Sequence, residues 1–164
     1  MAERSAGLLI YRRVESGYEV LLVHPGGPFW ARKDEAAWSI PKDLIDEEED
    51  ELTAARRETR EELGVEIDGR FERLDEYRQP SGKIVIAWAV EADPEIDVAA
   101  ITSNTFRMEW PPRSGSFQEF PEVDKAGWFS LTEAERRIHK GQRAILSDFA
   151  ARQDAPSQTD PDQK

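Results

Sequence analysis

The chain has 164 residues, enough for one domain with a real core and too few for two ordinary ones. With 34 acidic and 22 basic residues its net charge is −12, which argues against nucleic acid as the main partner, because a phosphate backbone needs a basic surface. It has no cysteine, so disulfides, thiolate metal sites and cysteine nucleophiles are excluded.

The longest apolar runs, such as residues 6–11 and 84–90, are far short of a membrane span or a signal-peptide core. The expected compartment is the cytoplasm, with no membrane partner. Residues 5–13 and 18–24 are rich in aliphatics and read as two strands around a Glu15-Ser16-Gly17 turn. Pro25-Gly26-Gly27-Pro28 opens a loop that runs to about Glu35. Trp38-Ser39-Ile40-Pro41 reads as a short extended piece, since Pro41 biases Ile40 away from helix.

An acidic run, residues 46–50, leads into a helix expected over 51–63, with Asp50 as its cap and Gly64 as its stop. Residues 71–79 and 83–90 read as two strands joined at Pro80-Ser81-Gly82. The second of these is nearly all apolar, as in a strand buried on both faces. Residues 91–123 read as a long excursion containing one strand near 105–110. A last short strand is expected at 125–129. A capping box, Thr132-x-x-Glu135, then opens a helix reaching about Arg152 with a kink at Gly141. Residues 1–152 are expected to form the domain, and the polar residues 153–164 a disordered tail. This order of elements implies an α/β fold with a mixed sheet between helices.

One segment concentrates chemistry. At about 100° per residue, Glu58, Glu61 and Glu62 fall within an arc of roughly 100° on the first helix. Leu52, Ala55, Thr59 and Leu63 fall on an adjacent arc. Carboxylates at i, i+3 and i+4 repel one another, and Arg57 and Arg60 relieve part of that repulsion. Two readings follow: a solvated acidic face, or a site for hard divalent cations such as Mg²⁺ or Mn²⁺, which take oxygen ligands.

The stretch Glu49, Arg57, Glu58, Glu61, Glu62, Gly64 and Val65 resembles the Nudix box at matching offsets. Thr59 departs from the usual aliphatic and Asp43 from the opening Gly. Asp tolerates a left-handed backbone better than most residues, so the loop shape is expected to survive. The resemblance extends over about residues 5–150. Ser5-Ala6-Gly7-Leu8-Leu9, His24-Pro25-Gly26-Gly27-Pro28, the stretch from Glu109 to Gly115 and that from Gln118 to Glu122 are similar to a bacterial subgroup of nucleoside-triphosphate pyrophosphohydrolases. It implies a Nudix-type α/β/α sandwich that cleaves a pyrophosphate bond in a nucleoside diphosphate-linked substrate, with Mg²⁺ or Mn²⁺ as cofactor.

By the same resemblance, Glu58, Glu61, Glu62 and the main-chain carbonyl of Lys42 are expected to hold metal, with Arg57 orienting the cluster. Glu49 is either a partner of Arg57 or simply the start of the acidic entrance. Glu119 is the expected general base, with Glu122 as its rival. The Lys42 side chain and Arg113 are expected on substrate phosphates. His24 is expected to be structural. Trp30, Phe29 and Trp110 are candidates for stacking on a base, and Tyr77 and Pro80 are ambiguous between core, turn and ligand. Nucleoside triphosphates and dinucleoside polyphosphates rank ahead of ADP-ribose-type substrates. The alternative is a catalytically weak Nudix-fold module that binds or senses a nucleotide.

Overall fold

Two consecutive aliphatic runs build the middle of the molecule. In the computed structural model of this chain, which describes residues 3–46, 48–93 and 105–154, they form β1 (Arg4–Val14) and β2 (Gly17–Pro25), an antiparallel hairpin. Successive side chains of a strand point to opposite faces, and here both faces are buried. Leu8, Ile10, Leu21 and Val23 pack on one side, and Leu9, Val20 and Leu22 on the other.

Further strands extend this hairpin both ways. β3 (Lys42–Leu44) pairs with residues 5–7 of β1, ahead of the stretch that pairs with β2. β4 (Phe71–Arg78) and β5 (Ile84–Glu91) form a hairpin closed by Gln79 and Gly82, and β5 runs parallel to β1. The sheet order is β4-β5-β1-β2-β8, with β8 (Val123–Ser130) as one edge. β6 (Thr105–Glu109) and β7 (Phe117–Pro121) form a separate two-stranded ribbon.

Helices cover both faces. α1 (Glu51–Leu63) buries Ala54, Ala55 and Leu63 against one, and α2 (Leu131–Arg137) and α3 (Arg143–Asp154) bury Ala134, Ile145, Leu146 and Phe149 against the other. This is the expected α/β/α sandwich with a mixed sheet. Asp50 caps α1 by accepting from the Thr53 N–H at 2.7 Å, and Gly64 ends it at φ 77°. Among the described residues no helix is long and apolar enough to cross a membrane.

Five local expectations are corrected. The second capping residue is Ser130, whose side chain accepts from the Glu133 N–H; the Glu133 carboxylate turns to Arg136 and Arg137 instead of closing the box. The helix expected over 132–152 is broken, because Ile138 is extended and bridges Trp38 while the His139 N–H bonds the Trp38 carbonyl at 2.7 Å. β3 was legible only as loop, because it is three residues long. β7 was hidden because its side chains are exposed or only partly buried, which leaves no apolar alternation to read. Of the expected tail, residues 153 and 154 belong to α3 and residues 155–164 lie outside the described residues, as do residues 94–104 of the excursion.

Gly7 faces β3 with no room for a side chain. A Cβ there would sit 2.5 Å from the Pro41 carbonyl oxygen and 2.7 Å from the Lys42 Cβ. Gly7→Ala is expected to lower stability by about 1–3 kcal/mol, as overpacking does. Urea unfolding checks this; an unchanged midpoint would mean that β3 moves aside freely.

Candidate active site

The approach to α1 is wedged into the sheet where β1 and β2 part. Ser39 exchanges two backbone hydrogen bonds with Val23, at 2.8 and 2.9 Å. The Leu8 N–H donates to the Pro41 carbonyl at 3.2 Å, and the Ile45 N–H to the Arg4 carbonyl at 3.0 Å. Antiparallel ladders alternate bonded and non-bonded pairs, so these bonds turn the Lys42 carbonyl away from β1, toward the open edge. Buried Gln142 locks the segment from the other side: its Oε1 accepts from the Ile40 N–H at 3.1 Å and its Nε2 donates to Ser39 Oγ at 3.0 Å.

The carboxylates of α1 then face this wedge. Glu58 is 5% exposed and Glu62 is 7% exposed. A solvated acidic face is therefore excluded for these two. Arg57 holds the group together. Its guanidinium donates to both oxygens of Glu49, at 2.8 and 3.0 Å, to Glu58 at 2.5 Å and to Glu61 at 3.4 Å. Glu49 is thus a partner of Arg57, and these hydrogen bonds push the Arg57 pKa above its ordinary value.

Burial pushes the Glu62 carboxyl up to about 9, and the nearby charges of Glu58 and Asp43 add to that. Burial and the Asp43 charge push Glu58 up to about 7, against the pull of Arg57. Glu62 Oε1 is buried and has no hydrogen-bond partner. A buried acceptor without a partner, crowded by like charges in an all-oxygen donor set, fits a hard divalent cation. Among the described residues no three such side chains already converge to hold one. Glu58 and Glu61 lean on Arg57 instead.

Other expected residues divide. Asp43 does not occupy a left-handed backbone; it lies in β3, its Oδ1 accepts from the Leu44 N–H at 2.7 Å, and its charge acts on Glu58, Glu62 and Glu122. The expected reason for tolerating Asp there is corrected: an extended strand accepts any L residue.

Glu119 lies on β7 opposite Arg107, with Thr105 as its neighbour, on the ribbon face turned away from Phe106 and Met108. Its rival Glu122 feels the charges of Asp43 and Glu61, and burial with those charges raises its pKa. Arg113 sits at the ribbon tip, with φ 61°. Five-residue strands put that tip about 16 Å from the Glu122 end.

Lys42 is brought in. Burial lowers its pKa while Glu62 and Asp43 raise it, and its side chain lines a cavity of about 610 Å³. That cavity also holds Lys83, Lys140, His139 and Gln79, and Pro80 of the β4–β5 turn. The sequence reading missed Lys83, Lys140 and His139, because only the break after α2 and the β4–β5 turn bring them beside Lys42. His24 is structural: it is buried, its Nε2 donates to the Lys33 carbonyl at 2.6 Å and its Nδ1 meets Asp124 at 2.9 Å. Tyr77 is core, its hydroxyl donating to Asp148 at 2.7 Å. Phe29 and Trp30 line a second cavity, whereas Trp110 is not among its walls.

A family model described as NUDIX domain matches residues 1–149. This chain belongs to the Nudix family. It is 35% identical over 103 residues to a bis(5'-nucleosyl)-tetraphosphatase [asymmetrical] of Mus musculus, a match that covers 56% of this chain and 66% of that protein. It is 38% identical over 65 residues to the Caenorhabditis elegans protein of the same name, covering 40% of this chain and 43% of that one. The chain thus spans less than two thirds of these relatives' lengths. A solved C. elegans Ap4A hydrolase binary complex matches with a TM-score of 0.63 over 93% of this chain and 98% of the other, at 24% identity, which shows the fold alone.

Within this Nudix chain the other departure from the box, Thr59, is absorbed by packing. It is fully buried and its hydroxyl donates to the Ala55 carbonyl at 2.9 Å. The buried glutamates give the metal-free protein a defined pH response. In the unfolded chain Glu62 ionises near 4.5, and in the fold only near 9. Between those values the folded state keeps a proton that the unfolded state releases, so stability falls as pH rises from about 5 to about 9. Glu58 adds to the slope up to about 7. In chelator, Glu62→Gln is expected to flatten this slope and to be about 1–3 kcal/mol more stable than the parent at pH 8. Denaturant unfolding at pH 5 and pH 8 checks it; a variant less stable at pH 8 contradicts the assignment.

Proposed function

We propose that this Nudix chain hydrolyses a phosphoric anhydride bond in a nucleoside polyphosphate, with Mg²⁺ or Mn²⁺ as cofactor. The favoured substrates are dinucleoside polyphosphates and nucleoside triphosphates. The observation that carries this reading is the meeting of two opposite environments at Lys42. Its charge interacts with buried Glu62 and with Asp43, and its side chain lines a cavity with Lys83 and Lys140. An extended polyphosphate suits such a junction, with one part over the carboxylates and the rest along the lysines. The names of the Mus musculus and C. elegans relatives support the same substrate class.

Glu58, Glu61, Glu62 and the Lys42 carbonyl would hold the cation. When bound, it polarises the phosphoryl group and lowers the pKa of the attacking water. Arg57 positions Glu58 and Glu61 through the contacts already described. The Lys42 and Lys83 ammonium groups neutralise phosphate oxygens. Glu122 takes the proton of the attacking water on its carboxylate, for which a raised pKa is an advantage. Arg113, at the ribbon tip, is left without a phosphate role. A cytoplasmic setting with a small nucleotide as partner suits this chemistry. The presence of all the box carboxylates favours hydrolysis over a binding-only module.

The deciding experiment is product analysis on ATP, diadenosine tetraphosphate and ADP-ribose, with Mg²⁺, with Mn²⁺ and with chelator. Cleavage of the first two that stops in chelator is expected. Binding without any turnover would favour the sensing module. Glu62→Gln is expected to lose at least 100-fold in turnover, about 2.7 kcal/mol of barrier, although it stabilises the metal-free fold. Near-parental activity at saturating Mg²⁺ would remove Glu62 from the metal site. Glu122→Gln is expected to lose about 100-fold and Glu119→Gln no more than about twofold. The reverse order, read from kcat, would restore Glu119 as the base.

A further inference from the structure

Among the cavities that the residues assigned to cation and phosphate leave without a role, one has an aromatic lining. It has a volume of about 340 Å³ and lies where the loop after β2 meets the β6–β7 ribbon. Gly26, Gly27, Phe29, Trp30, Phe106 and Met108 line it, with Glu122 also in its wall.

Both walls are built and then fastened together. In the loop, Phe29 and Trp30 meet edge to face at 5.0 Å, and the Lys33 ammonium lies 4.4 Å from the Phe29 ring centre. In the ribbon, the register pairs Phe106 with Phe120 and Met108 with Gln118 on one face. The Phe120 ring braces Phe106 at 6.0 Å. The walls join at Gly26, whose N–H donates to the Glu122 carbonyl at 3.1 Å; a Cβ there would lie 2.0 Å from the Pro121 oxygen. Gly27 has φ 98°, and its Cβ would lie 2.9 Å from the Phe106 ring. The β2–β8 register also shifts at His24/Pro25, a bulge of the kind that re-aims the chain beside a site.

The lining selects the ligand. It is aromatic and apolar, which suits a flat heterocycle and not a phosphate. Phe29 is 56% exposed, so part of its ring stands open at the cavity. The carboxylate in the wall, Glu122, disfavours a phosphate inside the cavity. Glu122 also borders the carboxylate cluster, so a ligand lodged here has its polar continuation directed toward Asp43 and Glu61.

We propose that this cavity is the nucleobase subsite, in which Phe29, Trp30, Phe106 and Met108 hold the base of the substrate while its phosphates extend past Glu122 toward the box glutamates. The subsite rests on the hydrolase reading for its place in a reaction, and on the cavity alone for its affinity for a base.

Adenosine is the probe, because it carries the base, has no phosphate and is not a substrate for anhydride hydrolysis. In chelator, ligand-observed NMR is expected to show adenosine bound to the parent protein and ribose 5-phosphate not bound. Phe106→Ala and Met108→Glu are each expected to weaken adenosine at least tenfold, and Phe106→Tyr to retain it. Thermal melting confirms that each variant is folded, and Met108→Glu, at a partly exposed position, keeps the test open if Phe106→Ala loosens the ribbon. With diadenosine tetraphosphate and Mg²⁺, the loss is expected in KM, about tenfold, with kcat changed less than threefold. Absence of adenosine binding to the parent, or binding unchanged in both variants, overturns the subsite even if hydrolysis is intact. A parent protein that cleaves no nucleotide yet binds adenosine through Phe106 and Met108 keeps the subsite and overturns the hydrolase reading.

Discussion

Burying negative charge is the constraint around which this molecule is arranged. Helix α1 turns Glu58 and Glu62 inward, where water no longer screens them, and the Arg57 guanidinium reaches into the group. Desolvation of a carboxylate costs several kcal/mol unless it is paired or protonated. The fold answers in three ways. Arg57 is itself fixed by a two-point bond to Glu49, the Lys42 ammonium is drawn close enough to act on Glu62, and the remaining cost appears as raised carboxyl pKa values. A stored electrostatic imbalance of this kind is what a divalent cation relieves on binding.

The same constraint explains the wedge before α1. For buried glutamates to face a carbonyl and a lysine, the chain entering the helix must lie within the sheet rather than over it. The separation of β1 and β2 makes that room, Gly7 leaves space for β3, and Gln142 reaches from beyond α2 to hold Ser39 and Ile40. The break at Ile138 that interrupts the last helical region serves this end, since an unbroken helix would not deliver Ile138 and His139 to Trp38. Acid beneath α1 and base around Lys42 thus adjoin across β3, where Asp43 pairs with Ala6 and Lys42 with Gly7 on opposite faces of the sheet.

The β6–β7 ribbon stands apart from this core. Among the described residues it shares no sheet with the rest, and it is fastened at its base through Gly26 and Glu122. Its alternation sorts neighbours in sequence to different fates: Phe106 and Met108 into the cavity, Glu119 and Arg107 away from it. A carboxylate three residues along the chain, Glu122, is the one on which the charges of Asp43 and Glu61 act.

Local physics made much of this legible in the sequence. The 13 residues of α1, with Asp50 before them and Gly64 after them, carry their own boundaries, because caps and helical periodicity are short-range. The spacing of Glu58, Glu61 and Glu62 put three carboxylates on one arc, and the aliphatic runs of β1, β2 and β5 announced strands, that of β5 as one buried on both faces. The box itself pointed to the family. Other features were decided only by the tertiary structure. Whether Glu62 is solvated or buried depends on what packs against α1. Whether Glu119 or Glu122 reaches the carboxylates depends on the register of a ribbon whose exposed residues carry no hydrophobic pattern. That Lys83, His139 and Lys140 gather beside Lys42 depends on contacts between residues 40 to 100 positions apart, which no local periodicity encodes. The chain's residue types and spacings set the chemistry available to it, and long-range packing set which of those groups meet.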